Sequence, residues 1–457
     1  MQRRRARTAE GPSPAGMTTF IQRLFNVRRD ELLPVLLSAL LFFCVLTALM
    51  LLRPAREALG MQRGIEAVRW LFVGTALATL LVNPLFGLLV SRLRRMAFIA
   101  LVYGFFAVSL LLLHLLMVLA PEAVGVTSGQ LFYVWFSVFN LFSTMVFWAL
   151  MADRFSLEQS KRFFGVIAVG GTCGAIAGPA LASLLAAPLG TPALLLVAAG
   201  LLLLAVTLAF LLSRLESGQG VGPAAEAERE PIGGSAWEGL RAVFRSRYLL
   251  GLAAYVIVLA VMSTFIYFTR LQMVAALGTD LDLRTTLFAR IDVATQTATL
   301  LMQLLLAGQL MKRFGVAFTL ALLPLTVALG FLGLAVVGSL AALVAFEAVF
   351  RAVQRALMRP ARETLYTVVS REDKYKSKAF IDTFVYRGGD VLGAQVEGLL
   401  GRLGLGLAAL TTLAVPLALL WMGLGIWLGR TQQRLAPTEE APAAGTAPLV
   451  TTRRPAP

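Results

Sequence analysis

Apolar segments of membrane-spanning length recur along almost the whole chain. An α-helix rises about 1.5 Å per residue, so about 20 apolar residues cross the roughly 30 Å of hydrocarbon in a bilayer. Such segments lie near residues 32–52, 67–90, 96–120, 130–151, 163–187, 192–213, 248–268, 285–311, 315–336, 338–362, 377–400 and 404–429. With 58% hydrophobic and 14% charged residues, the chain is not a soluble protein. We predict an all-α membrane protein with twelve transmembrane helices.

The connections between these segments alternate between basic and uncharged. Lys and Arg cluster at the amino terminus and near 92–95, 154–162, 214–247, 312–313 and 374–378, whereas 121–130, 186–192 and 338–339 contain neither. Basic loops stay in the cytoplasm, so the net charge of +16 is mainly an orientation signal and not a sign of nucleic-acid binding. We expect a multi-pass protein of the bacterial inner membrane with both termini cytoplasmic.

The stretch 217–234 is rich in Gly, Pro, Ala and Glu and divides the chain into two halves of six spans. The predicted regions are a cytoplasmic tail with an interfacial helix (1–30), an N-terminal six-helix bundle (31–213), a cytoplasmic linker with an amphipathic helix (214–247), a C-terminal six-helix bundle (248–430) and a disordered cytoplasmic tail (431–457). Two six-helix repeats joined in this way are the major facilitator fold.

Four arginines, Arg351, Arg355, Arg359 and Arg362, lie in span ten. On a regular α-helix their spacing places them within an arc of roughly 80°. Each would cost about 2.5 to 3.5 kcal/mol in lipid, so the stripe must face water, carboxylates or an anionic ligand. Because the guanidinium fork binds phosphate or carboxylate at two points, we predict that Arg351 and Arg355 contact an anionic substrate and that Arg359 and Arg362 guide or gate its entry.

The string Arg-Pro-Ala-Arg-Glu occurs at Arg53–Glu57 in span one and at Arg359–Glu363 in span ten. Spans one and ten line the central cavity of a major facilitator fold, so both strings are expected on the pathway, toward opposite openings. Arg53 and Arg56 are therefore predicted substrate contacts. Glu363 is predicted to belong to the inner gate.

Acidic residues follow one face of span eleven at Asp382, Asp390 and Glu397. Two interpretations stay open: an ion-pair ladder with the arginine stripe that locks the fold, or gates and a carrier of a coupling proton. Asp292 in span eight belongs either to a cavity wall or to a polar seam between helices, and it is a second candidate for coupling. Arg387 and Tyr267 complete the predicted substrate site.

The sequence contains no dinucleotide fingerprint, P-loop, zinc motif or nucleophile elbow in a usable context. Its two cysteines, Cys44 and Cys173, are in apolar surroundings without metal-ligand spacing. We therefore expect no enzyme activity, no cofactor and no metal. The expected partners are a small anionic solute and the lipid bilayer, with no requirement for an oligomer.

Two stretches of span eleven, Lys374–Asp382 and Arg387–Asp390, resemble the ATP/ADP translocase family of plastids and intracellular bacteria, as does Arg53–Leu59 in span one. The resemblance implies a major facilitator fold that exchanges nucleotides by alternating access. That family usually carries a lysine where this chain has Asp390. The function we expect is secondary transport of an organic anion, a nucleotide or another phosphorylated metabolite. A proton-coupled symporter of the same fold and a non-transporting membrane scaffold remain alternatives.

Overall fold

The computed structural model describes residues 29–92, 95–215, 236–305 and 307–435, and within these ranges the chain is helical without a strand. In the first half the helices are α1 (Arg29–Gly60), α2 (Ile65–Arg92), α3 (Arg95–Leu119), α4 (Pro121–Arg154), α5 (Leu157–Leu189) and α6 (Ala193–Arg214). A short helix α7 (Ala236–Arg245) precedes the second half. The predicted tails and most of the predicted linker lie outside the described residues.

The second half contains α8 (Arg247–Ala275), α9 (Leu281–Leu305), α10 (Ala307–Val337), α11 (Leu340–Val353), α12 (Arg359–Thr364), α13 (Arg371–Phe380), α14 (Tyr386–Arg402) and α15 (Leu407–Leu435). A π-helical turn at Gln354–Met358 joins α11 to α12, and another at Ile381–Val385 joins α13 to α14. Each joined pair therefore forms one long, interrupted helix.

Nine helices within the described ranges are long and apolar enough to cross a bilayer. Three more polar stretches, namely α9, α11 with α12, and α13 with α14, bring the spans to the twelve predicted from the sequence. Ionic side chains lower the hydropathy of these stretches. Several of them, including Asp292, Arg351 and Asp390, belong to the site described below.

Local sequence signals explain where several helices begin. Serine at the N-cap accepts a hydrogen bond from a backbone amide of the first turn, which otherwise has no partner in the helix. Ser156 and Gln159 form a reciprocal capping box at the start of α5. Ser246, Ser339 and Ser370 cap α8, α11 and α13 in the same position.

The two halves have separate hydrophobic cores. One consists almost entirely of residues between Val35 and Leu212, and the other of residues between Val243 and Leu428. A smaller cluster joins α2 and α4 to α8 and α9, with Val68, Phe268 and Phe288 among its buried members. The two cores are thus separate, and the halves meet where α9 packs on α1 and α5 and where α14 packs on α2. Two separately packed bodies of this kind can tilt against each other.

Close packing of α1 on α5 depends on glycine. A Cβ atom at Gly178 would lie 2.7 Å from the Thr47 carbonyl oxygen, and Gly170 and Gly174 also face the α1 backbone. Gly165, on the same helix, has no atom within 4 Å of the equivalent position. Small residues allow membrane helices to approach in this way.

We expect Gly178→Ala to lower stability by about 1–3 kcal/mol because the added methyl group forces α1 and α5 apart. Gly165→Ala is the matched control and is expected to be neutral or slightly stabilising, since alanine favours helix by about 0.5–1 kcal/mol. Thermal unfolding of both purified variants in detergent measures the difference. Equal melting temperatures would show that the close contact has no energetic importance.

Candidate functional site

A cavity of about 180 Å³ lies between the two halves, deep within the bundle. The residues that line it come from both halves: Arg53, Arg56, Glu57, Phe72, Thr75, Ala76, Ser263, Thr264, Tyr267, Arg351, Tyr386, Arg387 and Asp390. Four guanidinium groups and two carboxylates therefore share one small space with three aromatic rings. Of the predicted substrate contacts, all but Arg355 line this cavity.

The last two turns of α1 supply Arg53 and Arg56. Arg53 approaches Asp292 of α9 at 3.6 Å, which joins the two halves. Arg56 pairs with Glu57 at 2.9 Å, and its guanidinium lies 3.7 Å from the centre of the Tyr133 ring. A guanidinium stacked on an aromatic face keeps its charge and has its orientation fixed. Arg56 is thus held rigidly beside the cavity.

Arg270 of α8 lies directly behind the cavity and is fully buried. Its guanidinium approaches three carboxylates, Glu347 at 3.3 Å and Glu57 and Asp292 at 3.6 Å each. Arg351 also approaches Glu347, at 3.3 Å. A buried charge is tolerated only when opposite charges surround it, so Arg270 holds three acids from both halves in one place.

We call the charged side chains in and immediately around the cavity the central ion cluster. Its members are Arg53, Arg56, Arg270, Arg351, Arg355 and Arg387 with Glu57, Asp292, Glu347 and Asp390. Several contacts in it are ion pairs of 3.3–3.6 Å, longer than a good charge-assisted hydrogen bond. Both carboxylate oxygens of Asp292 lack a hydrogen-bond partner among the described residues. The acids of the cluster are therefore paired in charge but incompletely hydrogen-bonded.

The arginine stripe predicted for span ten is not a single stripe. The π-helical turn at Gln354–Met358 contains about one residue more than an α-helical turn, so the residues after it leave the regular register. Pro360 follows this turn and cannot donate a backbone hydrogen bond to residue 356. As a result, Arg351 faces the cavity, Arg355 donates to Gln296 of α9, and Arg359 is exposed.

A second group of charges lies towards the linker end, the end of the bundle at which residues 215 and 236 are found. Arg362 pairs with Asp382 at 3.1 Å, and Lys378 pairs with Glu363 at 2.6 Å. All four belong to the second half. Pairing between the arginine stripe and the acids of span eleven was one of two interpretations left open, and the structure brings Arg362 and Asp382 together.

A third group lies at the far end of the bundle, opposite the linker end. Arg69 at the start of α2 pairs with Glu397 of α14 at 2.9 Å and also with Glu66. Arg402 of α14 pairs with Glu66 at 2.9 Å. Two of these contacts join the first half to the second. They close the far end of the cavity with opposite charges.

The acids of span eleven are therefore distributed over three levels. Asp382 belongs to the linker end, Asp390 to the cavity and Glu397 to the far end. Asp390 approaches Arg387 at 3.4 Å and accepts a hydrogen bond from Thr264 at 3.5 Å. Among the side chains that the structure describes, the ladder of span-ten arginines with span-eleven acids has only its linker-end step, Arg362 with Asp382.

The predicted polar face of span eight forms part of a seam between helices. Asp292 is buried between Arg53 and Arg270, and Gln296 accepts a hydrogen bond from Arg355. Tyr267, predicted from span seven, lines the cavity, and its hydroxyl donates to Glu57 while lying 2.9 Å from the Tyr133 hydroxyl. The Tyr267 hydroxyl is thus hydrogen-bonded within the protein, to Glu57 and Tyr133, and the residue lines the cavity.

Sequence reasoning did not identify Arg270, Arg69 or Glu66. Span seven was placed at 248–268, which leaves Arg270 just outside it, whereas α8 continues to Ala275. The acids Glu57 and Glu347 within apolar helices were the available signal, since a buried acid requires a nearby cation.

Residues 35–353 match the profile of the Major Facilitator Superfamily. No curated protein matches the chain. Among solved structures, a bacterial homologue of the iron transporter ferroportin in an inward-facing state is 13% identical, with a TM-score of 0.63 over 88% of this chain and 98% of that one.

Two further structures are similar in fold. The nucleoside transporter NupG is 14% identical, with a TM-score of 0.56 over 90% of this chain and 100% of that one. A bacterial homologue of the human lysosomal transporter Spinster, inward-facing and unoccupied, is 15% identical, with a TM-score of 0.57 over 90% and 100%. At sequence identities this low, the structural similarity establishes the fold and carries no information about the solute.

Proposed function

Because the chain belongs to the Major Facilitator Superfamily, we propose that it is a secondary transporter of a small organic anion. One observation carries the proposal: four arginines and only two carboxylates line a cavity between the halves of a transporter fold. A positive surplus in a cavity with low-dielectric walls concentrates anions and repels cations. The same surplus argues against export of cationic drugs.

The geometry supports alternating access. Ion pairs across the two halves hold them together at the far end, at Arg69 with Glu397, and at the cavity, at Arg53 with Asp292. At the linker end Arg359 is exposed. We infer that the anion enters there, from the cytoplasm if the predicted orientation holds. By bonding to Arg53 it would displace Asp292 and release one contact between the halves.

A phosphate-bearing metabolite, nucleotides included, is the solute class we propose. Arginine forks bind phosphate oxygens at two points, and Phe72, Tyr267 and Tyr386 supply flat surfaces for a ring. The resemblance of Arg53–Leu59 and of span eleven to ATP/ADP translocases supports the same class. Asp390, which stands where that family usually has lysine, reduces the positive charge available to a polyphosphate.

Counter-exchange of labelled solute in proteoliposomes tests the proposal. We expect labelled nucleotide or sugar phosphate to enter only when an unlabelled anion of the same class is inside. Uptake into empty liposomes driven by a pH gradient would instead support proton symport. Proton symport is the second candidate function, and it is favoured by Asp390 because this acid lines the cavity. No uptake of any anion in either arrangement would refute anion transport.

A membrane scaffold without transport activity is the remaining alternative. The fully buried Arg270 with its three acids favours it, because a purely structural role, locking the two halves together, would be enough to explain such a cluster. Ligand-dependent thermal stabilisation separates the two functions. A transporter is stabilised by about 2.7 kcal/mol at 100 times the dissociation constant of its solute, whereas a scaffold shows no stabilisation by any anion.

A further inference from the structure

The described charges around the pathway are unevenly balanced among three levels. At the far end two arginines, Arg69 and Arg402, face two carboxylates, Glu66 and Glu397. At the linker end Arg362 and Lys378 face Asp382 and Glu363. Both flanking groups are therefore neutral. The central ion cluster has six arginines and four carboxylates, which leaves two positive charges without a counterpart.

This surplus matters most when the cavity closes around its solute. Closure removes water, and an uncompensated charge in a water-poor interior costs several kcal/mol. Arg359 is exposed, whereas every member of the cluster is buried or half-buried, so Arg359 is not counted in this balance. A solute with two negative charges makes the closed cluster neutral. A solute with one or three leaves a net charge of one unit inside the membrane.

The size of the cavity sets a second limit. Its 180 Å³ is little more than the roughly 150 Å³ of an engineered protein cavity that holds benzene, and it is below the roughly 300 Å³ at which typical ligand pockets begin. A nucleoside triphosphate is larger and carries more charge than the surplus. A small phosphate monoester or a short dicarboxylate satisfies both limits.

We propose that the cavity selects small dianions by charge balance, so that the preferred valence of the solute equals the surplus charge of the central ion cluster. The proposal rests on the proposed function and narrows it from organic anions to dianions of small size. The hydroxyls of Thr75 and Ser263, which line the cavity, provide neutral donors and acceptors for the uncharged part of the solute.

Two substitutions at one contact test this: Asp390→Asn keeps the shape of the side chain, and Arg387→Gln removes the charge but also shortens the side chain. Arg387 and Asp390 approach each other at 3.4 Å, and both line the cavity. Asp390→Asn raises the surplus by one charge, Arg387→Gln lowers it by one, and the double variant restores it. Selection by total charge therefore predicts that the double variant recovers the natural preference between valences even where its affinity falls, whereas selection by a specific contact with Arg387 does not.

The experiment measures thermal stabilisation of the purified full-length chain by two ligand series at about pH 8. One series contains succinate, its monomethyl ester and propane-1,2,3-tricarboxylate. The other contains glycerol 3-phosphate, whose second pKa of about 6 leaves it doubly charged, and its singly charged methyl ester. Arg290→Gln is the control, because Arg290 is exposed and does not line the cavity.

We expect the natural protein, the control and the double variant to bind a dianion about tenfold more tightly than the matched monoanion, which is the contribution of one charge-assisted hydrogen bond. Asp390→Asn is expected to prefer the tricarboxylate and Arg387→Gln the monomethyl ester. Whichever series binds identifies carboxylate or phosphate as the source of the charge. Binding without a change of preferred valence would overturn selection by charge and leave anion transport intact. If no ligand of either series stabilises the natural protein, selection of small dianions fails, and counter-exchange with larger anions decides whether anion transport fails with it.

Discussion

Replacement of Arg270 by methionine is expected to lower the stability of the folded protein by about 3–5 kcal/mol. Methionine is unbranched and fills irregular buried space, so the main change is loss of charge. Glu57, Asp292 and Glu347 would then lose the buried cation that they share. This loss is a large fraction of the stability of a typical protein. Thermal unfolding in detergent and the yield of monodisperse protein measure it.

A partial rescue separates electrostatics from packing in this experiment. Adding Glu347→Gln to Arg270→Met removes one of the carboxylates that were left without their partner, so the double variant is expected to be more stable than Arg270→Met alone. Arg290→Met removes an exposed arginine from the same half and is expected to change stability by less than about 0.5 kcal/mol. A melting temperature for Arg270→Met equal to that of the natural protein would contradict the central role of Arg270.

The double variant Arg53→Gln and Arg351→Gln is expected to lose anion binding by about 100-fold or more. Each arginine lines the cavity and can form a charge-assisted hydrogen bond of about 1.5–3 kcal/mol with a bound anion. Removing both also brings the surplus of the central ion cluster to zero. Their acids, Asp292 and Glu347, keep Arg270 as a partner, so the fold is expected to survive.

Equilibrium binding by thermal shift and counter-exchange in liposomes both report this loss. The control variant Arg63→Gln with Arg290→Gln removes the same number of charges from exposed positions outside the cavity, one in each half. It is expected to bind and exchange anions as the natural protein does. Unchanged exchange in Arg53→Gln with Arg351→Gln would remove the cavity from the transport pathway.

Much of the fold could be predicted because the bilayer imposes lengths and apolar composition on every span. The site was harder to predict, since regular helical spacing does not describe the helices that carry it. Regular α-helical spacing places Arg351 and Arg355 on one face. In the structure, which has a π-helical turn beside Pro360, Arg351 lines the cavity and Arg355 contacts Gln296.

Contacts between the halves were the second reason why the site in the structure differs from the site predicted from the sequence. Sequence periodicity places Glu397 on the same helical face as Asp382, but it does not show that Glu397 contacts Arg69, which is 328 positions away. Arg270 was missed because it follows the apolar part of α8, where the end of the helix could not be located. Pairing across the halves depends on tertiary packing, and a single sequence contains no direct signal for it.

Protection of a cysteine in the cavity tests the central claim most directly. In a protein with Cys44→Ala and Cys173→Ser, Ser263→Cys places a thiol on the cavity wall, and Thr367→Cys places one on the exposed surface at the linker end as control. We predict that a small dianion slows labelling of Ser263→Cys by a charged thiol reagent and leaves Thr367→Cys unaffected. If no anion changes the rate at which Ser263→Cys is labelled, the result would contradict binding of an anionic solute in this cavity.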